Sequence, residues 1–208
     1  MLLKTQSTIC ICLLSLAFLT GCRKDETHYY PDNDFPGTAI FSNKGNNVFS
    51  CFINGVPWRT IDRKIGGFGG STYEVRITRQ NFDSLTDQLS ITWLGHYNYD
   101  TYGLGSIGLV LSVAKTFSMA DFSALQGKRL TIDGVNSYFE AQVDDTNYGD
   151  SLRGSGSIYF NTVILNPGVT NGGSQGRISG LLEADFDSVK LTSGRFDHNL
   201  DAAQVFFQ

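Results

Sequence analysis

Val48-Phe49-Ser50-Cys51-Phe52-Ile53-Asn54-Gly55-Val56-Pro57-Trp58-Arg59-Thr60-Ile61 reads as two short strands joined by the dipeptide most favourable to a two-residue hairpin turn. Asn-Gly suits that turn because both central residues must take positive φ, which asparagine tolerates and glycine adopts freely. A two-residue turn also fixes the register. Ile53 then faces Val56, Cys51 faces Trp58 and Phe49 faces Thr60, an apolar ladder on one side with Ser50 and Arg59 on the other. Cys51 in that ladder is a small buried hydrophobe, not a reactive thiol. Pro57 falls opposite Phe52, at a pair where its missing N–H points away from the partner, so the second strand belongs at a sheet edge or a bulge.

The same alternation recurs on both sides of a glycine-rich loop, Ile65–Gly70, and a polar connection, Asn81–Asp87. Tyr73, Val75 and Ile77 share a face, as do Leu89, Ile91 and Trp93, and as do Ile107, Leu109, Leu111 and Val113 within Leu104–Ala114. These are half-buried antiparallel strands. Further strands are expected at Arg129–Ile132, Tyr138–Val143 and Ser157–Leu165, and in a C-terminal run where Ile178, Gly180, Leu182, Ala184 and Phe186 line one face. Ser193-Gly194 suits a tight turn that would set Leu191 against Phe196 and Lys190 against Asp197. Ser118–Gly127 reads as the one helix: Ser118 can cap it, Asp121 sits in its first turn, Met119, Phe122 and Leu125 share a face, and Gly127 can end it. Composition agrees, with charged residues at 17% and 23 glycines in 208 residues, against usual shares of about 25% and about 7%. The expected fold is an all-β antiparallel sandwich of about ten strands with one short helix, a partly closed barrel being the alternative.

Residues 1–47 have a different character. Met1–Gln6 carries one cation, Lys4, and Ser7–Leu19 is uncharged and closes on small residues, the pattern of a signal peptide. The run is shorter than the roughly 20 apolar residues of a membrane-spanning helix. Leu19-Thr20-Gly21-Cys22 resembles the lipobox of bacterial lipoproteins. The resemblance implies cleavage before Cys22 and acylation of its thiol and amine. Arg23-Lys24-Asp25-Glu26 contains a lysine followed by acids, and Lys24-Asp25-Glu26 resembles the signal that sends Bacteroidota lipoproteins to the outer face of the outer membrane. A solvated tether explains the same four residues equally simply. Thr27–Asn47 has no periodicity and is rich in Pro, Asp, Asn, Gly and Ser, so it reads as linker. The expected organisation is a signal peptide at 1–21, a lipidated flexible tether at 22–47 and a single β domain at 48–208.

Cys10 and Cys12 leave with the signal and Cys22 takes the lipid, so Cys51 has no partner for an intramolecular disulfide. The net charge is −4, without the basic patch that a nucleic-acid partner requires. Phe52-Ile53-Asn54-Gly55-Val56-Pro57-Trp58, a Phe-x-Asn-Gly-x-x-Trp pattern, recurs with Ile178-Ser179-Gly180-Leu181-Leu182-Glu183-Ala184-Asp185-Phe186 and Ser193-Gly194-Arg195-Phe196-Asp197 in a family of uncharacterised β-rich Bacteroidota lipoproteins, which this chain resembles. Those motifs describe turns and strands and name no substrate.

Catalytic patterns occur without their structural context. Gly103-Leu104-Gly105-Ser106-Ile107-Gly108 matches G-x-G-x-x-G, but a strand, not a pyrophosphate-binding helix, follows it. Gly172-Gly173-Ser174-Gln175-Gly176 matches G-x-S-x-G without a strand-to-helix elbow. The histidines available as bases are His96 and His198. Asp144–Asp150 offers oxygen ligands but lacks the acidic spacing of a calcium loop. No catalytic residue, metal ligand or cofactor is assigned. The candidate ligand-binding residues are His96, Tyr97, Tyr99 and Tyr102, where aromatic faces adjoin hydrogen-bonding groups as an amphipathic sugar or peptide requires. The expected role is a non-enzymatic binding or accessory lipoprotein of the outer membrane facing the cell exterior. A structural envelope-interaction protein, or a hydrolase whose groups converge only in the fold, are the alternatives.

Overall fold

In the computed structural model, which describes residues 29–60, 75–94, 104–143, 151–166, 174–201 and 205–207, Asn54 and Gly55 take φ of 49° and 82°. The turn joins β1 (Val48–Ile53) to β2 (Val56–Arg59) in the expected register, Ile53 opposite Val56 and Cys51 opposite Trp58. Thr60 completes the ladder, donating its N–H to the Phe49 carbonyl at 2.8 Å. β2 with Pro57 is an edge strand, at one end of the sheet order.

The described residues continue through β3 (Val75–Asn81), β4 (Thr86–Leu94), β5 (Leu104–Ala114), α1 (Met119–Ser123), β6 (Arg129–Ile132), β7 (Tyr138–Val143), β8 (Ser151–Leu165), β9 (Ser174–Asp185), β10 (Lys190–Asp201) and β11 (Val205–Phe207). Their order across the sheet is β11-β3-β4-β5-β7-β8-β9-β10-β1-β2, with β6 beside β8. All these pairings are antiparallel except β11 with β3, which is parallel. The fold is therefore all-β as expected. Of the two arrangements the sequence allows, it takes the partly closed one: a single sheet curled into a half-barrel, not two separate sheets.

The curl originates in β8. Its first residues, Ser151–Gly154, pair with β7, whereas Gly156–Tyr159 pair with β6 and Ser155–Leu165 with β9. β6 and β7 thus run head to tail along one edge of β8, interrupted by the turn at 133–137 where β8 carries Gly154 and Gly156. At Gly156 φ is 156°, and a Cβ there would lie 2.1 Å from the Glu183 carbonyl oxygen. Only glycine lets the neighbouring backbones come so close at the bend. Residues 151–156, which sequence alone leaves outside the strand, are what carries β8 from one half of the sheet to the other.

The core fills the concave side. Phe122, Phe160, Phe196, Trp93, Phe49 and Trp58 form a continuous row of rings, with successive centroids 6.0, 6.1, 5.2, 5.1 and 5.5 Å apart. Aromatic pairs in this range contribute about 0.5–1.5 kcal/mol beyond area burial. Trp93 from β4 packs at a tilt, 40° and 48°, against Phe49 of β1 and Phe196 of β10, so this ring joins the two halves of the curled sheet. Phe122 anchors α1 at the end of the row. The helix begins as expected, since Ser118 Oγ accepts from the Asp121 N–H and Asp121 Oδ2 accepts from the Ser118 N–H at 2.8 Å, a reciprocal capping box. It ends earlier than Gly127, because residues 124–127 tighten into turns in which Leu125 and Gln126 donate three residues back. Gly127, φ 75°, then donates to the Phe160 carbonyl at 2.7 Å.

The tight turn expected at Ser193-Gly194 is not formed. β9 and β10 are joined at 186–189, where Phe186 donates to the Val189 carbonyl at 2.8 Å and Asp187 takes φ 65°. Ser193, φ 52°, lies at a bulge within β10, between the pairs Leu191–Ala184 and Gly194–Leu182. A left-handed residue serves a bulge as well as a turn, which is why the local pattern misleads. Lys190 consequently faces Asp185, their charged groups 3.4 Å apart, and Phe196 faces Gly180.

Candidate functional site

The bulge sets the facing of the residues after it. Along β10, Phe196, His198 and Leu200 turn into the core, and Arg195, Asp197 and Asn199 turn to the convex side, where a polar strand face would ordinarily meet water. Here it meets residues 29–47. Asp197 accepts from the backbone N–H groups of Lys44 at 3.0 Å, Gly45 at 2.8 Å and Asn46 at 3.2 Å, and from the Ser42 hydroxyl. Asn199 Nδ2 donates to the Gly45 carbonyl at 2.9 Å and its N–H donates to Asn47 Oδ1 at 2.9 Å. Arg177 Nη1 donates to the Asn43 carbonyl at 2.7 Å, and the Ala39 N–H donates to Ser50 Oγ at 2.7 Å. The part of the expected linker that the structure describes, 29–47, is therefore a strap across β1, β9 and β10. Lacking periodicity, it is held by polar bonds to distant side chains instead of by a sheet ladder.

The strap has its own shape. Pro31 and Ala39 form an isolated bridge, Asp32 donates its N–H to the Thr38 carbonyl at 2.9 Å, and Ile40 donates its N–H to the Tyr30 carbonyl at 2.7 Å. Arg195 ion-pairs with Asp32, donates to the Ala39 carbonyl at 3.1 Å and lies 4.5 Å from the centre of the Phe35 ring. Arg59 lies 4.2 Å from the centre of the Tyr29 ring. Burial pushes the Asp32 carboxyl up, but the Asp34 N–H and the Arg195 guanidinium more than offset it and hold the group below the usual carboxylate range. Replacing Asp197 with alanine is expected to leave the three backbone donors without their acceptor, lowering unfolding free energy by about 1–3 kcal/mol. Limited proteolysis read by mass spectrometry should then show new cuts within 29–47 while the strands stay intact; cleavage unchanged from wild type would contradict the strap's dependence on Asp197.

A second polar cluster lies where β3, β4 and the end of β5 meet. Buried Asp87 on β4 accepts from Arg79 Nε at 2.9 Å and Nη2 at 2.6 Å through Oδ2, while Lys115 Nζ stands 2.7 Å from Oδ1. Lys115 foremost, and Arg79 with it, hold the carboxyl below its usual range against the opposing effect of burial. Both oxygens stand beside cations, so the group ties together β3, β4 and the end of β5 as a paired, ionised carboxylate. Among the described residues, Cys51 and His198 are sealed in the core. Burial drives the Cys51 thiol well up, and drives His198 down to about 3. His198 Nε2 and Trp93 Nε1 have no hydrogen-bond partner.

Of the candidate residues named from sequence, Leu19, Thr20, Gly21, Cys22, Lys24, Asp25, Glu26, His96, Tyr97, Tyr99 and Tyr102 lie outside the described residues, as do the oxygen-rich segment 144–150 and Gly172 and Gly173. Leu104–Ala114 is a strand, so no helix follows the glycines at 103–108. The strand ends around 95–103 are described, and they share a rim. Val75 pairs with Trp93, Leu104 with Val143, and Gln142 with Ser151. In the other half Leu165 pairs with Gly176 and Asp201 with Ser174. Three residues separate Asp201 from Val205, which pairs with Ile77; such a link spans at most about 14 Å, so the end of β10 lies close to β3. Tight turns at 54–55, 82–85 and 186–189 join β1 to β2, β3 to β4 and β9 to β10. Sequence reading missed the strap and its receptors on β10; the alternation Arg195-Phe196-Asp197-His198-Asn199 was the available signal, obscured by the turn assigned to Ser193-Gly194.

No protein-family model, no curated protein and no solved structure matches the chain.

Proposed function

We propose that the protein is an outer-membrane lipoprotein, held by acyl chains on Cys22, presented to the cell exterior through Lys24-Asp25-Glu26, and acting as a non-enzymatic binding or accessory module for a glycan or peptide. The observation that carries the reading is Leu19-Thr20-Gly21-Cys22 closing an uncharged run that follows a single cation. Each buried methylene contributes about 0.8 kcal/mol, so two or more acyl chains hold such a protein on the bilayer. Its binding role is supported by the contrast between the tight turns at 54–55, 82–85 and 186–189 and the longer segments 61–74, 95–103, 144–150 and 167–173 that join the strands of the half-barrel. Long connections on a rigid β scaffold are where recognition concentrates, and 95–103 includes His96, Tyr97, Tyr99 and Tyr102. The sealed positions of Cys51 and His198 and the doubly paired Asp87 favour binding over catalysis.

Protease shaving of intact cells tests the address. Wild-type protein, confirmed as acylated by mass spectrometry, should be lost from the surface, and a variant with Lys24, Asp25 and Glu26 all replaced by alanine should be protected. Protection of both would confine the protein to the periplasmic side and redirect the search from extracellular glycans and peptides to envelope partners.

A further inference from the structure

We infer that the strap is a membrane-contact surface that lays the convex side of β1 and β10 against the bilayer carrying the anchor. The inference rests on acylation at Cys22, and names lipid as the partner of a surface whose exposure is otherwise unexplained. Tyr30, Phe35, Ile40 and Phe41 are 55%, 40%, 49% and 37% exposed, although they lie in a segment whose backbone is tied to the sheet at many points. Two of them are side by side, through the bond from the Ile40 N–H to the Tyr30 carbonyl. Phe35 is held from behind by the Arg195 guanidinium. A rigid backbone presenting two aromatic rings, a phenol and a branched aliphatic chain outward is what the headgroup region of a bilayer accommodates, since rings with a polar edge or a nearby cation settle at that depth.

Chain length selects this surface over the other exposed apolar residues. Cys22 precedes Tyr29 by seven residues, which reach at most about 25 Å when fully extended. The strap therefore begins close to the lipid whatever path residues 23–28 take. Phe82, Leu85, Leu94, Val135 and Ile164 are also exposed, but each stands about 60 residues or more beyond Cys22 in the chain, so no short link ties it to the lipid.

The acylated protein, purified from cells, would carry Phe41→Cys or Leu85→Cys labelled with an environment-sensitive fluorophore. Acylated Cys22 and buried Cys51 do not compete for the label. The proteins are inserted into vesicles of phosphatidylethanolamine and phosphatidylglycerol, with and without nitroxide-bearing lipid, and vesicle association is read by flotation. The label at position 41 should shift to the blue and be quenched several times more strongly by the nitroxide lipid than the label at 85. Replacing Tyr30, Phe35 and Ile40 with serine should reduce that quenching while the protein still floats. Flotation with a water-like, unquenched label at 41 would overturn the inference and leave the anchor standing. Failure to float would remove the anchor and the inference with it. A label at 41 shielded from water but not quenched, in a protein that sediments as a dimer, would assign the surface to a second copy of the chain.

Discussion

Trp93→Ala is expected to lower the unfolding free energy by about 3–5 kcal/mol, the usual cost of truncating a fully buried tryptophan. The indole is the ring at which the two halves of the curled sheet meet, 5.1 Å from Phe49 and 5.2 Å from Phe196, so its loss opens a cavity bounded by strands from both halves. A domain with a total stability of about 5–15 kcal/mol would be brought near its threshold. Trp93→Phe should cost markedly less: it keeps a ring in the row and removes an indole N–H that has no acceptor, a group whose burial alone opposes folding by about 1–3 kcal/mol. Urea titrations followed by far-ultraviolet circular dichroism measure both. A loss below about 1 kcal/mol for the alanine variant would mean that the halves hold together without this ring.

Acidification is expected to destabilise the protein well before its carboxylates titrate. Burial lowers His198 from 6.5 to about 3, so the folded state keeps the imidazole neutral while the unfolded chain protonates it below pH 6.5. Between these values the unfolded state binds the extra proton, and stability rises with pH and falls as pH falls, by about 1.4 kcal/mol per pH unit for one group. The contribution is fully present above pH 6.5. The depressed carboxyls Asp32, Asp83, Asp87, Asp121 and Asp133 give a separate loss, which begins only as pH drops towards their ordinary value of 3.8 and continues through their folded values. The interval from pH 6.5 to 4.5 therefore isolates the histidine, and should show a decrease of about 2–3 kcal/mol in wild type. His198→Leu should flatten that interval and retain the steeper loss at lower pH. An equal slope in the variant would place the acid sensitivity elsewhere.

The hairpin at Asn54-Gly55 and the cap at Ser118 were legible in sequence because everything that determines them lies within a few residues. The alternating faces of β3, β4 and β5 were legible for the same reason, since burial of one side imposes its own period of two. The curl of the sheet was not, because it depends on Gly156 meeting the Glu183 carbonyl of another strand, a contact without a local signature. The strap was hidden more completely. Its composition is that of a linker, and what orders it is the outward carboxylate of Asp197 together with Arg195, Asn199 and Arg177. At the candidate site the sequence proposed residues on the segment 95–103 and around Cys22, and the described structure contributes the strand ends that bound that segment, together with the strap at 29–47.

The bonds between Asp197 and the N–H groups of Lys44, Gly45 and Asn46 span 153, 152 and 151 positions of the chain, and β1 pairs with the same late strand. During synthesis, the beginning of the domain thus waits for almost its last strand before it can settle. Topologies so dominated by distant pairings fold slowly, in milliseconds to seconds. Until β10 arrives, residues 29–47 lack the Asp197 carboxylate and the Asn199 side chain that hold them. Closing the strap is then a late event, a mark of a chain whose last strands have already paired.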